Sequence, residues 1–176
     1  MALSNALADL GGRKEPVAEL GLPEVFLHPG EYHLGQAPGR IRTLLGSCVS
    51  VTVWNQAKQV GGMCHALLPS RVRRAGEGLD GRYVDEAVEW LAQTLLRHGI
   101  QPSACRAKLF GGGNMFAPPA ADLDVGRRNV EAARRCLAER GFVIVREDVG
   151  GDRPRRLSFD LASGRVWQAL TERARV

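Results

Sequence analysis

The order of periodic segments predicts an α+β fold, a compact layered α/β sandwich in which a mixed β-sheet packs against helices. Three observations carry that expectation. Residues 49–54 alternate Val49, Val51 and Val53 with Ser50 and Thr52, the period of a half-buried strand. Val84, Val88, Leu91 and Leu95 recur at i, i+4, i+7 and i+11, one apolar helical stripe stopped by Gly99. Several extended runs precede that helix, and a strand, a second helix and three more strands follow it.

Taken in order, residues 1–22 hold no sustained period and contain Gly11-Gly12, Pro16 and Gly21. They are expected to form a flexible leader, with residues 23–176 as a single domain. Residues 25–27 read as a short strand turning at Pro29-Gly30, and residues 41–45 as an extended run after Pro38-Gly39. The strand at 49–54 turns through residues 55–58, and residues 60–68 return as its partner, ended by Pro69. Residues 70–82, polar and rich in Gly and Arg, are expected to form a mobile loop. The first helix covers 83–98. A strand over 104–110 runs into Gly111-Gly112-Gly113-Asn114, and a second helix over 126–140 turns Val130, Ala133 and Leu137 inward. Residues 142–146 form a strand, and residues 156–161 and 165–170 form a hairpin across Ala162-Ser163-Gly164.

Composition narrows the function classes. The chain has 176 residues, 44% hydrophobic and 24% charged, enough to bury a core without staples. No apolar run is long enough to span a bilayer, and the first ten residues lack the basic and continuous apolar regions of a secretory signal. No membrane insertion and a cytoplasmic location are expected. Cys48, Cys64, Cys105 and Cys136 have no CxxC spacing and are expected to be free thiols. The net charge of +5 rests almost wholly on arginine. No helix-turn-helix, zinc-finger, RNP or GXXG pattern accompanies the arginine clusters, so no nucleic acid is expected.

The chemistry concentrates on two stretches. Cys48 follows the Gly46-Ser47 break between two apolar runs, so it sits at a strand edge where a side chain can be exposed. The plain alternative is a buried thiol behaving as a small hydrophobe. A tight turn at Gly46 and Ser47 also points backbone N–H groups outward, as an oxyanion site requires. His65 lies on the returning strand. Strand alternation puts it on one face with Met63 and Leu67, and Cys64 and Ala66 on the other. Hairpin pairing brings His65 near Cys48, within reach for general-base work. The spacing of His28, His33, Cys48 and Cys64 matches no closed tetrahedral set, so no metal is expected. The Gly111–Gly113 run lacks the GxGxxG and GxxxxGK[ST] patterns and reads as a loop that lets a substrate backbone approach.

The motifs also resemble a known family. They are Pro29-Gly30-Glu31-Tyr32, Leu45-Gly46-Ser47-Cys48-Val49, Gly61-Gly62-Met63-Cys64-His65-Ala66-Leu67-Leu68-Pro69, and Tyr83-Val84-Asp85. Next come the stretch from Ala107 to Phe116, then Gly126-Arg127-Arg128-Asn129-Val130, and Asp148-Val149-Gly150-Gly151 leading to Arg156. In this order they resemble the CheD family, the bacterial chemoreceptor glutamine deamidases, over nearly the whole chain beyond the leader.

The resemblance implies a cofactor-free cysteine hydrolase that converts glutamine side chains of methyl-accepting chemotaxis receptors to glutamate and ammonia. It implies Cys48 as nucleophile, His65 as base and Thr43 as the third member, which accepts from the other imidazole nitrogen and fixes the tautomer. Backbone amides near Gly46 and Ser47 would hold the oxyanion. Gly111, Gly112, Gly113, Asn114 and Arg128 are expected to shape the entrance for an acidic, helical receptor segment. Some members also bind a CheC-type phosphatase. That leaves an alternative from another class: a regulatory binding partner of such a phosphatase or of receptors, with catalysis secondary.

Overall fold

A computed structural model describes residues 21–115 and 124–171. The leader expected at 1–22 falls almost entirely outside them. β1 (Glu24–Phe26), β2 (Tyr32–Gln36), β3 (Arg40–Leu45), β4 (Val49–Asn55) and β5 (Val60–Cys64) precede α1 (Val84–Arg97). β6 (Arg106–Gly111), α2 (Val125–Glu139), β7 (Val143–Val149), β8 (Arg155–Asp160) and β9 (Val166–Leu170) follow. The strands form two sheets, one of order β1-β3-β8-β9 and one of order β2-β5-β4-β6-β7. Each is mixed: β1 runs parallel to β3 and β6 parallel to β7, while the other pairs are antiparallel.

Alternation along β4 explains the layers. Val49, Val51 and Val53 face α1 and α2 in one core, with the stripe Val84, Val88, Leu91 and Leu95 against them. Trp54, of opposite parity, faces the other sheet and joins Met63, Ile41, Leu45, Leu157 and Phe159 in a second core. The fold is therefore a three-layer stack of helices, five-stranded sheet and four-stranded sheet, and the expected α+β sandwich is what is observed. Cys48 packs at the edge of the inter-sheet core.

Three local features depart from the sequence-based expectation. β2 was not anticipated, since Tyr-His-Leu-Gly-Gln is a half-buried edge strand with a glycine inside it. The strand expected over 60–68 keeps regular pairing only to Cys64. Beyond it, the His65 backbone turns to the 30–31 segment, with N–H to Glu31 O at 2.9 Å and O accepting from Gly30 N–H at 2.8 Å. The segment 70–82, expected to be mobile, is anchored. Arg71 donates through Nε to the buried Glu86 carboxylate at 2.7 Å, and the Asp80 N–H donates to the same carboxylate at 2.7 Å. Leu68 and Tyr83 bridge the base of the loop.

Candidate active site

β3 leaves the four-stranded sheet at Leu45, and after three intervening residues the chain enters the five-stranded sheet as β4. Gly46, Ser47 and Cys48 are that crossover, and all three are partly exposed between buried Leu45 and buried Val49. Val49 and Ala66 form an antiparallel bridge, with Val49 N–H to Ala66 O at 3.0 Å and Ala66 N–H to Val49 O at 2.9 Å. Because side chains alternate, Cys48 and His65 flank that bridge on the same face, the inter-sheet one. Diagonal neighbours of this kind lie about 7–8 Å apart at the backbone, within reach of long side chains.

Thr43 comes from the facing sheet. With Ile41 and Leu45 it points into the inter-sheet core, fully buried. Its Oγ1 lies 2.8 Å from His65 Nδ1 and 2.8 Å from Leu27 O. A carbonyl only accepts, so the single hydroxyl proton goes to Leu27 O and Oγ1 must accept from Nδ1–H. His65 is thereby held as the Nδ1–H tautomer, with the lone pair on Nε2. Nε2 is buried and has no hydrogen-bond partner among the described residues. A proton acceptor is thus set on the face that carries the thiol.

Electrostatics set the resting state. Burial pushes the Cys48 thiol above its ordinary range, and its own backbone N–H partly opposes the shift. Burial also pushes the His65 imidazole below its ordinary range; Leu27 O opposes this, His28 adds to it, and Glu31 opposes it. Both shifts favour neutral thiol and neutral imidazole over a thiolate–imidazolium pair. Cys64, on the opposite face, is wholly buried and pushed to about 11, so it is a packing residue.

The glycine loop supports the turn from behind. Gly112 N–H donates to Cys48 O at 2.8 Å and Gly113 N–H to Gly46 O at 3.0 Å. Gly111, at φ 100, and Gly112, at φ 63, adopt left-handed backbone that favours glycine, and a Cβ on Gly111 would strike Cys48 O. Gly111, Gly112 and Gly113 are buried, so their visible work is to hold the Cys48 turn. Gly112 and Asn114 also line a groove of about 410 Å³ with Val130, Val149 and Arg134. Arg128 stands exposed on α2 and is not part of that lining.

Asn129, within the Gly126–Val130 motif, has a role that the sequence alone does not reveal. It is fully buried, and its Nδ2 donates to Leu67 O at 2.8 Å and Ser47 O at 3.3 Å. The available signal was a polar residue on the inward stripe of α2, beside Gly126, Val130 and Ala133. Among the described residues there is no group of three or more His, Cys, Asp or Glu able to hold a metal ion. None of the described helices is long and apolar enough to cross a membrane.

Comparison with known proteins bears on this geometry. The family model described as CheD chemotactic sensory transduction matches residues 67–169. The chain belongs to the CheD family. It is 47% identical over 154 residues to the probable chemoreceptor glutamine deamidase CheD 3 of Dechloromonas aromatica, covering 87% of this chain and 91% of the relative. With the probable chemoreceptor glutamine deamidase CheD 1 of Chromobacterium violaceum it is 44% identical over 171 residues, covering 96% and 89%. That alignment takes in the stretch from Thr43 to His65, which the family-model match does not reach. Among solved structures, the hypothetical protein YfiH of Bacillus licheniformis aligns with a TM-score of 0.44 and 12% identity, over 66% of this chain and 49% of that one.

Proposed function

We propose that this CheD-family chain deamidates glutamine side chains of chemoreceptors, with Cys48 as nucleophile, His65 as general base and acid, and Thr43 as the residue that orients the imidazole. The observation that carries the reading is the Leu27–Thr43–His65 hydrogen-bond chain, which leaves a buried, unprotonated Nε2 on the face of Cys48. Cys48 Sγ attacks the glutamine Cδ as its proton passes to Nε2, because the resting pair is neutral. The negative charge moves to the amide oxygen, where N–H groups of the Ser47–Cys48 turn receive it. His65 returns the proton to nitrogen, the C–N bond breaks, and ammonia leaves a thioester. Water then attacks with its proton taken by Nε2, and collapse releases glutamate and the thiol. Work on a receptor's cytoplasmic helices gives the protein a cytoplasmic place of action.

The regulatory alternative, binding to a CheC-type phosphatase or to receptors with catalysis secondary, draws less support. A binding surface has no use for a buried hydroxyl that fixes an imidazole tautomer. Intact-mass measurement on a co-expressed receptor cytoplasmic fragment tests the proposal. Wild-type protein is expected to add about one dalton per modified glutamine and to release ammonia, and Cys48→Ser and His65→Ala to do neither. Thr43→Val keeps shape but removes the acceptor, and is expected to lower kcat roughly tenfold to a hundredfold, with Thr43→Ser restoring most of it. An active Cys48→Ser protein would overturn the mechanism.

A further inference from the structure

The β4–β5 ladder opens at the point where Cys48 sits. After the Val49–Ala66 pair, a continued antiparallel ladder would join Ser47 to Leu68, with Ser47 N–H donating to Leu68 O and Leu68 N–H to Ser47 O. Neither bond forms. Leu68 N–H goes to Arg82 O at 3.0 Å, and Leu68 O accepts from Val84 N–H at 2.9 Å. Ser47 O and the neighbouring Leu67 O both accept from Asn129 Nδ2 instead, at 3.3 and 2.8 Å. Both partners are carbonyls, so the amide nitrogen must face them. Among the described residues, no acceptor is left for the Ser47 and Cys48 backbone N–H groups other than the Cys48 sulfur itself.

Asn129 therefore stands in for the missing ladder bonds. A fully buried side chain from α2 ties the Cys48 turn to the segment that follows His65, bridging carbonyls that the ladder leaves without strand partners. The arrangement is rigid at both ends. Asp124 caps the start of α2 by accepting from Arg127 N–H at 2.9 Å, and Gly126 lies against Gly112 and Gly113.

We infer that Asn129 is a positioning residue for the reaction, one that keeps the Ser47 N–H free to receive the oxyanion, beside the Cys48 N–H on the other side of the turn, by preventing the ladder from closing over it. The inference rests on the deamidase reading above. It separates two properties of the site. Attack of the Cys48 sulfur on iodoacetamide is a displacement at carbon that develops no oxyanion, whereas glutamine hydrolysis does.

The test uses the full chain as wild type, Asn129→Ala and the nearly isosteric Asn129→Asp, which keeps the volume if the alanine variant folds poorly. Ammonia release from a receptor cytoplasmic fragment gives kcat and KM, and intact mass follows alkylation, with Cys48→Ser as the blank. Both variants are expected to lose kcat roughly tenfold or more, with KM and the iodoacetamide rate within about twofold of wild type. An unchanged kcat in Asn129→Asp overturns the inference. So does an alkylation rate that falls by the same factor as kcat, since Asn129 would then act on the thiol or on the fold. Failure of the deamidase reading looks different: wild type itself then releases no Cys48-dependent ammonia, and the inference falls with it.

Discussion

At the scale of single residues, the site is built to rest uncharged. Cys48 and His65 are displaced by burial in opposite directions, the thiol upward and the imidazole downward, and both displacements disfavour the ion pair. The sign has a direct consequence. A preformed thiolate–imidazolium pair would react with iodoacetamide at a rate already level at neutral pH. A neutral pair instead gives alkylation of Cys48 that keeps rising with pH, with its midpoint above 9.0, the ordinary value for a free thiol. His65→Ala is expected to leave that midpoint nearly in place, since no imidazolium stabilises the thiolate at rest. Rate against pH, read by intact mass with Cys48→Ser as control, decides it. A plateau near neutrality that His65→Ala abolishes would show the pair to be charged. Of the residues involved, Cys48 and His65 were readable from sequence because turn position and strand parity are local properties. Thr43 entered only through the family resemblance, because its contact with His65 joins two sheets and no periodicity encodes it.

At the scale of elements, β4, α1, α2 and the β8–β9 hairpin were readable because each carries its own period and stop signals. β2 was not, since two apolar residues and a glycine at a half-buried edge make no pattern. The anchoring of residues 70–82 was hidden for another reason: it depends on Glu86, a carboxylate on the buried side of α1 that meets Arg71 only in three dimensions. Close approach of elements was hidden too. A Cβ on Gly126 would lie 2.6 Å from Gly112 O and 2.8 Å from Gly113 O, both rigid backbone. Gly126→Ala is therefore expected to push α2 off the glycine loop and to cost about 1–3 kcal/mol, read as a lowered urea midpoint. Gly78→Ala meets nothing within 4 Å and serves as the control, with a change of less than about 0.5 kcal/mol. Equal stability of the two variants would contradict the packing account.

At the scale of the whole molecule, the site spans an interface between layers. Thr43 and Leu27 O belong to the layer of the four-stranded sheet, while Cys48 and His65 lead into and out of the five-stranded one. Their registration depends on the core between the sheets, and on Arg155. This buried guanidinium donates from β8 to Asp148 O at 2.6 Å, to Asp148 Oδ1 at 2.9 Å and to Gly150 O across the gap. The order of elements predicted the class but not this division, because strands of both sheets show the same alternation and only long-range pairing sorts them. The two cores should then differ in what they control. Phe159, wholly buried between the sheets, meets Gly61 of β5, where a Cβ would lie 2.8 Å from its ring. Leu95, equally buried, packs between α1 and the outer face of the five-stranded sheet, away from Thr43. Phe159→Leu is expected to cost about 1–3 kcal/mol and Leu95→Ala about 2–5 kcal/mol. Measured well below both unfolding transitions, only Phe159→Leu should lower kcat, by roughly threefold or more, because it alone lets the sheets shift and lengthens the Thr43–His65 hydrogen bond. Leu95→Ala should keep the wild-type kcat despite its larger loss of stability. Equal kcat in the two variants would mean that the sheets are registered by Arg155 and the crossover turn, not by the core between them.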